Sequence, residues 1–183
     1  MVEKTSSKRR GLQMFTKSDA RAFGETPMTR SVQRDEALDV EREQAGASGF
    51  GVVKMLYGDP EGAHLSGYEE DGGYSLLWVR FPSNYPLGRH SHSSDCLYYV
   101  QEGQVRLGNR TLGPGEGFFA PANAPYSYTA GPDGVTLLEF RSQSWFDTRL
   151  HETAPGYARI GQSVRRYGEA WAEEQEAHRD HPS

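Results

Sequence analysis

The chain of 183 residues carries 20 basic against 25 acidic side chains, for a net charge of -5 and an isoelectric point near 5.7, so it offers nucleic acid no basic surface. Its length suits one domain with appended segments. The single cysteine, Cys96, forms no internal disulfide, the opening MVEKTSSKRRGLQMF has no apolar stretch behind its basic residues, and no run is long and apolar enough to span a bilayer. A cytosolic chain without export signal or membrane span is therefore expected.

Residues 1–48 are polar, alternate in charge and lack a sustained apolar period, which predicts a largely extended arm. Inside it, DEALDVERE (35–43) predicts a short helix capped by Asp35, with Leu38 and Val40 as its apolar side. From Gly49 to Arg141 short runs of β-branched and aromatic residues alternate with turn signals, the pattern of an antiparallel sandwich or barrel. The expected strands are GFGVVKMLYG, GYSLLWVRF, CLYYVQ, QVRL, GFFA, YSYTA and VTLLEFR. They are separated in turn by segments such as NYPLG, EG, GNR, GPGEG, PANAP and GPDG, whose glycines and prolines suit tight turns. Residues 142–183 form a C-terminal extension with a helix over about 163–179, capped by Ser163. Val164, Tyr167 and Trp171 share one stripe of that helix and are expected to pack against the barrel or a second subunit.

The densest chemistry lies in GRHSHSSDCLYYVQEG (88–103). On a strand, alternate side chains share a face, so His90 and His92 point the same way at a spacing that suits one metal ion, and Ser91 points away. A structural pair of satisfied histidines has the same spacing. If residues 90, 92 and 96 face inward, Tyr98 and Val100 do so too, while Leu97 and Tyr99 face out. In GYSLLWVRF, Leu76, Trp78 and Arg80 share one face and Leu77, Val79 and Phe81 the other, and the sequence leaves open which is internal. Inward, Arg80 would bind a carboxylate and Trp78 would stack on a ring. His64, His151, His178 and His181 lie outside these motifs and read as solvated surface.

These segments resemble the cupins, small β-barrel proteins with two signature segments. The first is matched by Pro86, Gly88, His90, His92, the YYVQEG run and Gly103, and the second by LGPGEGFFAPANAPYSY (112–128). The resemblance covers about Gly49 to Arg141 and implies an all-β, cupin-type antiparallel barrel or jelly roll with an N-terminal arm and a C-terminal helix. Cupins normally hold a divalent iron, manganese, nickel, copper or zinc ion with three histidines and a carboxylate. Here Cys96 stands where the family has its glutamate, and Tyr126 where it has its third histidine.

Three arrangements follow. Cys96 is a thiolate ligand beside His90 and His92, a soft set suited to zinc or copper, with Tyr126 completing or facing the site. Alternatively the two histidines alone hold the ion, with water or substrate in the remaining positions. In the third, no metal binds, and His90 or His92 serves as acid or base in an organic pocket. Tyr126 and Tyr98 are the candidate proton donors, and for Tyr98 a core role with its hydroxyl bonded to backbone is the plainer reading. The resemblance therefore implies a metal-dependent enzyme acting on a small aromatic or unsaturated organic acid or ketone, by oxygenase, isomerase or lyase and cyclase chemistry. The rival expectation is a non-catalytic small-molecule-binding or regulatory cupin with a metal-free site. A homodimer paired through edge strands and N-terminal arms is expected.

Overall fold

The computed structural model describes residues 12, 14–22, 36–46, 50–58, 73–144 and 146–179. Asp35, Gly49, His64 and His181, on which four of the expectations above rest, lie outside the described residues, as does the side chain of His178. Among the described residues nine strands form one antiparallel sheet: β1 (Arg21–Ala22), β2 (Val52–Gly58), β3 (Ser75–Phe81), β4 (Pro86–Ser91), β5 (Cys96–Leu107), β6 (Arg110–Leu112), β7 (Gly117–Ala120), β8 (Tyr126–Arg141) and β9 (Arg149–Leu150). Strand β8 organises it. Its first half pairs with β4, its second half with β3, and β5 runs along it through both. The sheet curls around a core in which Leu77, Val100, Val105, Val135 and Leu137 are fully buried.

Period-two alternation decides which side chains enter this core. Cys96, Tyr98 and Val100 are buried, whereas Leu97 and Tyr99 are about half exposed, as the spacing predicts. On β3 the inward set is Leu77, Val79 and Phe81. Arg80 points elsewhere and donates to the Asp133 carbonyl and to Thr136 Oγ1, at 3.0 and 3.4 Å.

Two expected turns are absent. CLYYVQ and QVRL are one continuous strand, β5, and YSYTA and VTLLEFR are one strand, β8. The EG between the first pair is a bulge, with register shifts on both sides of Gly103. Gly103 adopts φ +69°, and a Cβ there would overlap the Gly134 carbonyl across the ladder, so glycine is required for close approach and not for chain reversal.

The helical segments also differ from expectation. A short helix, α1 (Asp39–Ala45), follows a single 3-10 turn at Glu36–Leu38. It packs through Leu38 and Ala45 onto Tyr157, Ile160 and Val164, while Val40 is exposed. The C-terminal helix, α2, spans Ala154–Arg179 and so begins well before Ser163. Thr153 caps it: its carbonyl accepts Tyr157 N–H at 2.9 Å and its Oγ1 accepts Gly156 N–H at 3.2 Å. Pro155 and Gly156 look like helix breakers in the sequence, but a first-turn amide has no partner within the helix, so proline costs nothing there. Ser163 lies mid-helix and donates to the Arg159 carbonyl at 3.3 Å.

The stripe on α2 packs against the barrel. Trp171 is fully buried, meets Phe50 and Tyr85 edge to face, and donates its indole N–H to the Ser83 carbonyl at 2.6 Å. Three residues on, the Glu174 carboxylate accepts both Ser83 N–H and Ser83 Oγ–H. Trp171→Ala removes a large buried ring and the indole hydrogen bond together. It is expected to cost about 3–5 kcal/mol in urea denaturation, and a loss below about 1 kcal/mol would mean that the helix is not held by this residue.

Candidate active site

Three strands converge on one buried cluster. His90 is the penultimate residue of β4 and His92 follows the strand, both side chains nearly inaccessible and their ring centroids 4.9 Å apart. Ser91 points away and bonds His151 Nε2 at 2.8 Å, and His151 is exposed, as its position suggests. Tyr126 opens β8 directly opposite His90, and Cys96 and Tyr98 come from β5.

Backbone carbonyls set both imidazole tautomers. His90 Nδ1 lies 2.8 Å from the Gly88 carbonyl and His92 Nδ1 lies 2.6 Å from the Asp147 carbonyl. A carbonyl only accepts, so each Nδ1 carries the proton and each Nε2 presents a lone pair. Burial lowers the pKa of both rings. For His92, burial and then the Arg141 guanidinium bring it down to about 4. Near neutral pH both are uncharged, and the 4.0 Å approach of His92 Nε2 to Glu139 Oε1 is not an ion pair.

The two lone pairs face phenols. Tyr126 OH lies 3.1 Å from His90 Nε2, Tyr98 OH lies 3.5 Å from His92 Nε2, and the two hydroxyls are in direct contact with each other. A chain of polar groups thus runs from His90 through Tyr126 and Tyr98 to His92. Burial and the nearby Glu139 carboxylate push both tyrosines up, so each phenol keeps its proton. Tyr98 is not the plain core tyrosine of its simpler reading, since its hydroxyl joins side chains and not backbone.

Glu139 is the site residue the sequence reading missed. It lies on β8 opposite Tyr98, is buried, and accepts Arg141 Nε–H at 2.5 Å. Burial opposes its ionisation, but Arg141 and then His92 outweigh that and hold the carboxyl below its usual range. Arg141 is itself fully buried, with its guanidinium 4.0 Å over the Phe146 ring. The alternation Leu137, Glu139, Arg141 on a core-facing strand is the one available signal, because a charge in that phase needs a partner inside.

His92, Cys96 and Glu139 bring one ligand-type atom each within 4.8 Å of one another, a set that His90 does not join. The donor set fits a divalent metal: an imidazole with a free Nε2 and an anchored Nδ1–H, a carboxylate and a sulfur. In such a set the carboxylate would come from Glu139, on the strand beside Cys96. As it stands the Cys96 thiol donates to the Ser94 carbonyl at 3.5 Å, and burial, with Glu139 beside it, pushes its pKa up to about 12. This is the reverse of the lowered thiol expected of a thiolate ligand, and a bound cation would have to displace its proton.

A cavity of about 350 Å³ opens onto the cluster, where His90, His92, Tyr98 and Glu139 form part of its lining. The rest is mainly apolar and aromatic, with Val79, Phe81, Tyr85, Tyr128 and Phe146 from the barrel. Arg42 from α1 and Tyr157 and Ile160 from α2 line it as well. Trp78 and Arg80, candidates for substrate contact had their face been internal, are not among the lining residues.

No protein-family model matches the sequence, and no curated protein matches it significantly. Solved structures do. The polyketide cyclase RemF from Streptomyces resistomycificus is 18% identical, with 83% of this chain aligned to 94% of that one at a TM-score of 0.51. An RmlC-like cupin protein from Ralstonia eutropha is 11% identical over 86% of this chain and 90% of that one, at a TM-score of 0.49. A structure of DMSP lyases is 24% identical at a TM-score of 0.44, and there the match spans only 53% of the lyase chain and 56% of this one. This chain has the cupin fold.

Proposed function

We propose that this chain is a small-molecule enzyme that moves a proton on a small aromatic or otherwise unsaturated acid or ketone. The carrying observation is the pair of inward Nε2 lone pairs, joined through two protonated phenols, beside a largely apolar, ring-lined cavity. Such a cavity takes an apolar body and orients it with few polar groups. A neutral imidazole accepts a proton and a phenol gives one, and the contact between Tyr98 and Tyr126 lets a proton gained at one imidazole pass to the other, each hydroxyl oxygen accepting one proton as it releases its own. His92, Cys96 and Glu139 would hold a divalent ion, with His90 the remaining imidazole beside them. When bound, such an ion supplies Lewis acidity toward a carbonyl oxygen. That RemF is called a polyketide cyclase agrees with a ring-forming or proton-moving role, and the reading itself rests on the site.

The rival reading, a binding cupin without chemistry, draws on the protonated Cys96 thiol and on Arg141 already neutralising Glu139. Two measurements separate them. Protein purified without an affinity tag is expected to carry near-stoichiometric divalent metal that His92→Ala abolishes, and to catalyse deuterium exchange at carbons adjacent to the carbonyl in a panel of small aryl ketones and arylacetic acids. Metal-free protein that binds these compounds and exchanges nothing would overturn the enzyme reading.

A further inference from the structure

The apolar cavity shares six lining residues, Pro86, Leu87, Gly88, Tyr128, Glu152 and Ile160, with a second, more polar groove of about 680 Å³. That groove runs between α2 and strands β4 and β8. Its charged side chains are Arg106 from β5, Arg159 and Arg166 from α2, and a single acid, Glu152. The acid is occupied: Oε2 accepts Arg89 N–H at 2.9 Å and Oε1 accepts Thr153 N–H at 3.0 Å. Among the described residues none of the three arginines is paired with a carboxylate. Arg159 and Arg166 are two turns apart on one helix face, roughly 10 Å along its axis. In a chain of net charge -5, guanidinium groups without a carboxylate partner gathered beside the cavity reverse the prevailing sign locally, Arg166 lying with its guanidinium 5.0 Å from the centre of the Tyr167 ring.

We propose that the ligand of this site has two parts: an apolar unsaturated body in the cavity, and an anionic end, phosphate or carboxylate, held in the groove by Arg106, Arg159 and Arg166. This rests on the small-molecule reading above and adds the chemistry of the distal end. Guanidinium groups suit that task because their planar fork meets two oxygens of one anion at once. Arg89, which lines the cavity itself, extends the same positive path, whereas Arg42 across the cavity is paired with Asp39 at 3.2 Å.

The test is calorimetric titration with ω-(2-naphthyl)alkyl phosphates of increasing linker length, alongside the matching carboxylates and uncharged alcohols. At the best linker an anion is expected to bind at least tenfold more tightly than its alcohol. Arg159→Ala/Arg166→Ala should erase that advantage and leave the alcohol's affinity unchanged, and the stronger of the two anion series identifies the natural group. Equal binding of anion and alcohol by the unmodified protein, or an advantage that survives the double substitution, overturns the proposal. Alcohol binding reports the cavity alone. Protein that binds the alcohol without an anion advantage therefore leaves the enzyme reading standing, whereas protein that binds neither overturns both.

Discussion

Arg141→Met is expected to destabilise the protein by about 3–5 kcal/mol, because it leaves the Glu139 carboxylate buried without its counter-charge. Arg141 is fully buried and Glu139 nearly so, and no other cation stands within ion-pairing reach of that carboxylate among the described residues apart from His92, which is uncharged near neutral pH. Methionine keeps most of the packing over Phe146, so the loss reports charge and not volume. Removing the acid as well, in Arg141→Met/Glu139→Leu, is expected to return most of the stability, since an apolar pair of similar size carries no desolvation cost. Urea denaturation at neutral pH of the unmodified protein and both variants provides the check. A single variant within about 1 kcal/mol of the unmodified protein would show that the pair is not the main support of this region.

The second large effect is on chemistry. Tyr126→Phe removes the hydroxyl that touches both His90 Nε2 and the Tyr98 hydroxyl, breaking the polar chain at its midpoint. Under the proposed function the deuterium-exchange rate is expected to fall by about 10²–10⁴, the usual contribution of a positioned acid or base. Tyr98→Phe should fall by a similar factor, and the double variant little further, because groups acting as one unit are not additive. The fold should tolerate each change, since one lost hydrogen bond is worth about 1 kcal/mol. Exchange at full rate in both single variants would remove the phenols from the mechanism.

The site became legible by degrees. His90, His92 and the inward face of β5 were readable from two-residue periodicity, because alternation is a local property of any strand. Tyr126 was singled out through its position in the second signature segment, and the structure places its hydroxyl against His90. Glu139 was not found, since it meets Tyr98 and Cys96 only through the pairing of β8 with β5, across some forty residues of chain. The side of β3 that faces inward was open for the same reason: two alternating apolar faces look alike until a neighbouring strand covers one of them.

The amino-acid sequence by itself determined the succession of strands, the all-β class, the histidine pair and the apolar stripe that seats α2. These follow from side-chain period, turn chemistry and residue type within a few positions of one another. Only the tertiary structure decided that β5 and β8 run unbroken past their glycines, that α2 begins at Ala154 and not at Ser163, and that a buried Glu139 and Arg141 stand behind the histidines. It also decided that Arg42 of α1 lines the cavity. Each of those depends on which segments meet across the fold, where burial sets the cost of a charge or a bend and a distant partner offsets it.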